Sequence, residues 1–141
     1  MRSFAIALAC LGLVAPRSWG QDPPPDSARA AAPQAAPLYS AEQARRGQAT
    51  YGKHCVSCHS AATYTGAAFR LAWGGQPVFD LWEQIRTTMP MDGPGKLSPR
   101  EYADIVAYLL KLNGLPAGPT DLPSDPDKLK PLVITVPRPG G

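Results

Sequence analysis

The chain's 141 residues allow one domain at most, and 17 prolines with 13 glycines put much of that length outside regular structure. Fourteen basic residues against 11 acidic ones give a formal charge of +3, but Arg2 and Arg17 lie in an N-terminal segment that reads as removable. Without it, 12 basic residues face 11 acidic ones, which excludes a basic-patch argument for nucleic acid, and nothing in the remaining chain reaches the roughly 18 apolar residues of a membrane span.

Residues 1–20 follow the pattern of a secretory signal peptide. Arg2 is the basic start, Phe4 to Ala15 the apolar stretch, and Ser18-Trp19-Gly20 supplies small residues before a cut at Gln21. The expected destination is the periplasm. Cys10 leaves with this segment, so the mature chain keeps Cys55 and Cys58 alone. Residues 21–38 are rich in proline and alanine with almost nothing to bury, the composition of an extended linker.

The folded part is expected from Tyr39 to residue 115. Ser40 and Gln43 have capping-box spacing, which predicts a helix from Ala41 to about Tyr51 with Ala44, Gly47 and Tyr51 on its inward stripe. A glycine in mid-helix costs roughly 1 kcal/mol against alanine; a second helix crossing closely at Gly47 would account for it. Between Ser60 and Gln76, glycines alternate with Tyr64, Phe69, Leu71 and Trp73, which reads as a long loop carrying apolar side chains around something. Val78, Leu81, Trp82 and Ile85 then form a short amphipathic helix that stops before Met89-Pro90. After a turn-rich stretch at 92–97, Ser98-Pro99-Arg100-Glu101 opens the best-defined helix, 99–113. Its stripe is Tyr102, Ile105, Val106 and Leu109, and Gly114 is placed to end it. Residues 116–141 are a Pro-rich tail whose one apolar patch, Leu132 to Val136, could lie on the domain or on a partner.

The chemistry is concentrated in Cys55-Val56-Ser57-Cys58-His59. Cys-x-x-Cys-His is the attachment pattern of c-type haem: two thiols two residues apart add to the vinyl groups on one edge of the porphyrin, and the following imidazole reaches the iron. Half a zinc site or a redox dithiol are the alternatives. Zinc lacks two further well-placed ligands, and the dithiol lacks its βαβ setting. A sixth ligand to the iron has three candidates, Met89, Met91 and His54. His54 adjoins Cys55 on the same edge of the ring and is expected to face solvent. Met89, 30 residues past His59 on a Pro-braced loop, has enough chain to go round the ring, and Met91 is the less favoured neighbour. Residues 39–114 hold too small a core to stand unaided, since a chain of this size supplies about 3–5 kcal/mol. The haem-free chain is therefore expected to be poorly folded.

These residues resemble the class I c-type cytochromes. More narrowly they resemble the small bacterial monohaem domains found with periplasmic quinoprotein dehydrogenases. The likeness rests on Gly47-x-x-x-Tyr51, Cys55-x-x-Cys-His59, Trp73, Met89-Pro90 and the run Leu97 to Leu110. It implies an all-α fold of three to four short helices around one covalent haem, with the first and last helices crossing at Gly47 and with Tyr51 against Tyr108. It also implies that Cys55 and Cys58 hold haem c, that His59 and Met89 ligate the iron, and that Trp73 packs near the propionates. The family's proline soon after the haem motif is missing, so a carbonyl of Gly66 to Ala68 is expected to accept from the His59 ring instead. The resulting function is periplasmic one-electron transfer, as a shuttle or a dehydrogenase subunit rather than an enzyme by itself. Its partners would be redox proteins: a dehydrogenase, a terminal oxidase or another cytochrome. The alternative is an open-site haem protein, peroxidase-like or gas-binding.

Overall fold

In the computed structural model, which describes residues 36–137, Ser40 caps the first helix as its position demands. Its hydroxyl accepts from the Gln43 amide at 3.0 Å, and α1 runs Ala41–His54. The other half of the expected capping box is not made. Gln43 is buried, and its side chain turns to a distant segment, donating to the Leu122 carbonyl at 3.0 Å and accepting from the Leu122 amide at 2.6 Å. A short 3₁₀ turn, Ala61–Tyr64, leads into α2 (Gly66–Trp73), followed by α3 (Val78–Thr88) and α4 (Pro99–Leu112). The fold is all-α, with one two-residue parallel pairing between β1 (Tyr39–Ser40) and β2 (Ala117–Gly118) and a last short helix, α5 (Pro126–Leu129). None of the described helices is long and apolar enough to cross a membrane. The signal-peptide segment and most of the linker lie outside the described residues.

The core is built where α1 crosses α4. A Cβ at Gly47 would lie 1.7 Å from the Asp104 carbonyl oxygen, so the two backbones touch at a point no side chain can occupy. One turn on, the Tyr51 and Tyr108 rings meet at 5.5 Å, an edge-tilted aromatic pair. From Tyr102 to Leu110 every residue of α4 is buried, far more than a one-sided amphipathic helix would hide. Its capping box is complete in both directions, and Gly114 takes the left-handed conformation at φ 77° that ends it. Gly47→Ala is accordingly expected to cost about 3 kcal/mol or more, the upper range for overpacking, because the obstacle is backbone. Thermal unfolding of the purified protein checks this. A melting point within a few degrees of wild type would mean the crossing is looser than described.

Helix α2 occupies the stretch expected to be an open loop. Its start carries no local cap. Instead the Gly66 amide donates to the Asn113 side chain at 3.1 Å, so the partner of its opening amide comes from the end of α4.

Packing also continues past residue 115. Leu115, Leu122, Leu129 and Ile134 are buried, and the segment is laid across the helices as a strap. Arg46 donates to both Asp104 oxygens at 3.1 Å and to Asp121 at 2.6 Å, while Ser40 bonds the other Asp121 oxygen. Asp104 is a buried carboxylate, tolerable because this forked pair satisfies it. The two carboxylates push the Arg46 guanidinium further toward its charged form. At its far end the strap exchanges backbone bonds with the turn before α3: the Gly75 amide to the Ile134 carbonyl, the Ile134 amide to the Gln76 carbonyl, and the Val78 amide to the Leu132 carbonyl, all 2.8–2.9 Å.

Candidate functional site

The end of α1 places the thiols. The Cys55 amide donates to the Tyr51 carbonyl at 2.9 Å as the helix closes, and the Cys55 carbonyl then accepts from the amides of Cys58 at 3.2 Å and His59 at 3.0 Å. One carbonyl thus gathers both cysteines and the histidine into a single turn. Cys55 is half-buried and Cys58 exposed, both as free thiols. Burial pushes the Cys55 thiol up. A reactive redox dithiol needs the opposite shift.

Two tyrosines fix the imidazole. The Tyr51 hydroxyl donates to the His59 carbonyl at 3.1 Å. Burial, with Tyr64, Cys55 and Tyr108 nearby, pushes that phenol up to about 12, so it remains a donor across the physiological range. Tyr64 meets the His59 ring edge-on at 5.6 Å. Asn113 holds Tyr64 there, its amide donating to the Tyr64 carbonyl at 2.8 Å and to the Leu109 carbonyl at 2.9 Å while its oxygen takes the Gly66 amide. Sequence reasoning passed over Asn113 in favour of Gly114. A residue with both donors and an acceptor at a helix end was the available signal. The expected bond from the imidazole to a carbonyl of Gly66 to Ala68 is not formed among the described residues. Those residues are the first turn of α2, where carbonyls are committed along the helix.

Around this turn lies a cavity of about 590 Å³. Its apolar walls come from Trp73, from Leu81 and Ile85 on α3, and from Ile105 and Leu109 on α4. Met89 and Pro90 close it from the loop after α3; Met89 is half-buried and Pro90 buried. Met91 also borders the cavity but is 76% exposed. His54 departs from expectation. It is half-buried and lines the cavity, because α1 continues three residues past Tyr51 and carries His54 in beside Cys55. Among the described residues, no three His, Cys, Asp or Glu side chains gather to hold a metal ion, so the zinc alternative lacks a ligand set.

The atom that decides what the cavity is for is His59 Nε2. It is buried and has no hydrogen-bond partner. Leaving a polar nitrogen so placed costs about 1–3 kcal/mol; a metal ion held by it would satisfy it. An apolar space in the size range of cofactor pockets, two free thiols at its edge and an orphaned imidazole nitrogen together fit a c-type haem. In agreement, residues 42–109 match the family model described as cytochrome c oxidase, cbb3-type, subunit III. That match supports a c-type cytochrome domain over residues 42–109. No curated protein and no solved structure matches the chain. Among the described residues there are five α-helices, two of which, α2 and α5, lie beyond the helices anticipated from periodicity.

Proposed function

We propose that the protein is an exported one-electron carrier. Cys55 and Cys58 would bond one haem c through thioethers, with His59 and Met89 as axial ligands. The observation that carries this reading is the buried, unpartnered His59 Nε2 in an apolar cavity that Met89 also lines. Bound haem supplies reversible one-electron chemistry at iron, and a thioether opposite an imidazole raises its potential. The protein's own residues do the rest. Tyr51, Tyr64 and Asn113 hold the imidazole's turn; Leu81, Ile85, Ile105 and Leu109 keep water from the ring; the loop at 89–97 presents the methionine. Were His59 and Met89 both to hold the iron, no position on it would be left for a substrate, which favours transfer over catalysis.

Val56, between the two thiols, is 60% exposed and Met91 is 76% exposed, so the cavity's edge presents apolar side chains to a partner. The matched family bears the name of an oxidase subunit, and a terminal oxidase joins a periplasmic dehydrogenase or another cytochrome among the redox partners this surface suits. The carrier would act as a free shuttle or as the electron-transfer subunit of a dehydrogenase. Export rests on the pattern of residues 1–20. Intact-mass analysis of the protein from a periplasmic fraction tests attachment and export together. The expected species starts at Gln21 and carries one haem that survives denaturation. A full-length chain without haem, found only in the cytoplasm, would overturn the proposal.

A further inference from the structure

The loop Met89 to Leu97 is closed at its base by a single side chain. Tyr102 is 1% exposed, yet it is a phenol in an otherwise aliphatic stripe of α4. Its hydroxyl donates to the Met89 carbonyl at 2.9 Å and accepts from the Leu97 amide at a longer 3.5 Å. The first and last residues of the loop are therefore held by one oxygen. The loop's other bonds are internal to it: the Gly93 amide to the Pro90 carbonyl at 3.0 Å, the Lys96 amide to the Gly93 carbonyl at 3.1 Å, and the Lys96–Asp92 ion pair at 2.6 Å. These shape the loop but do not tie it to the helices. The Met89 amide, bonded to Ile85 at 2.8 Å, is fixed to α3 alone.

We propose that Tyr102 is a positioning residue for the sixth ligand, its hydroxyl clasping both ends of the 89–97 loop so that the Met89 side chain is held at the cavity. The inference rests on the reading of Met89 as that ligand. Removing the hydroxyl leaves the part-buried Met89 carbonyl and the buried Leu97 amide without their partner while the ring goes on filling its place. The loop then opens more readily. A ligand held in one of two loop states loses occupancy in proportion to that shift.

The test is Tyr102→Phe in the haem-loaded protein, read by carbon monoxide binding to the reduced form and by the far-red absorption band of sulfur-ligated ferric iron. Carbon monoxide affinity is expected to rise about five- to tenfold, the effect of losing one well-made, part-buried hydrogen bond, with the far-red band weakened. Gln43→Met is the comparison. It removes two buried hydrogen bonds to Leu122, away from the cavity, and is expected to lower the melting point without moving either readout. Affinity and band unchanged in Tyr102→Phe would overturn the proposal, as would an equal change in Gln43→Met. If Tyr102→Phe does not fold, amide exchange in the wild-type holoprotein decides. The Leu97 amide is expected to be protected, and exchange at the rate of a free amide would overturn the clasp. The ligand reading fails separately, if Met89→Ala leaves both signals as in wild type.

Discussion

Met89→Ala is expected to lower the midpoint potential, abolish the far-red sulfur band and let the reduced protein bind carbon monoxide. As the proposed ligand the methionine would contribute a soft thioether, which favours the ferrous state, and alanine offers no donor in its place. The drop should take up a sizeable part of the roughly 0.8 V range over which axial ligands set haem potentials. The structural cost is smaller. Met89 is half-buried, so truncation forfeits only part of the roughly 2–5 kcal/mol of a full core deletion. The holoprotein should remain folded and coloured, which makes the redox effect readable by titration. Met91→Ala supplies the contrast. That side chain is 76% exposed, and its removal should leave potential and spectrum near wild type. If Met91→Ala produces the fall and Met89→Ala does not, the two methionines exchange roles.

The second large effect is expected from Cys55→Ser with Cys58→Ser. Without thioether attachment the cavity of about 590 Å³ must be held by whatever haem binds reversibly, or by none. A dry void of that size would cost on the order of 10 kcal/mol at about 24 cal/mol per Å³, comparable to the whole stability of a small domain. The chain avoids that cost by letting water in or by letting the walls collapse, and either course loosens α3 and the 89–97 loop. The crossing of α1 with α4 has its closest approach at Gly47 and Asp104, outside the cavity lining, and should persist longest. The double variant is thus expected to lose cooperative thermal unfolding and to bind a hydrophobic dye, with partial helical circular dichroism remaining. A sharp unfolding transition near that of the holoprotein would show that the protein core suffices alone.

The difference between what was legible in the chain and what was not is one of range. Helices α1, α3 and α4 announce themselves through neighbours: Ser40 before a 3.6-residue stripe, Met89-Pro90 as a stop, and Ser98-Pro99-Arg100-Glu101 as a full start signal. Gly47 could be read as a crossing point because a mid-helix glycine demands a reason, and the Asp104 carbonyl supplies it. The haem motif is local by its chemistry. What stayed hidden depends on partners far along the chain. Helix α2 has no cap of its own and borrows Asn113, 47 residues away. The strap is held by Gln43 to Leu122 and by Arg46 to Asp121, pairs separated by 79 and 75 residues, so the sequence left open whether its apolar patch lies on the domain or on a partner. Tyr102 was legible as core but not as a clasp. Its ring satisfies the apolar stripe, and only the geometry shows where the hydroxyl goes.

The same distinction applies within the site. Cys55, Cys58 and His59 are adjacent and needed no fold to be associated, whereas Met89 enters the cavity because α3 ends where it does. His54 shows the limit of reasoning from sequence distance. Its nearness to Cys55 suggested a solvent-facing ring, but one further turn of α1 brings it to the cavity wall.

The most direct test of the account is the visible spectrum of the periplasmically expressed protein, oxidised and reduced, with and without carbon monoxide. Sharp low-spin bands on reduction, a weak far-red band in the oxidised form and only weak carbon monoxide binding are the predicted result for iron held by His59 and Met89. A high-spin spectrum, or a large shift with carbon monoxide, would contradict it and assign the cavity to an open-site haem protein.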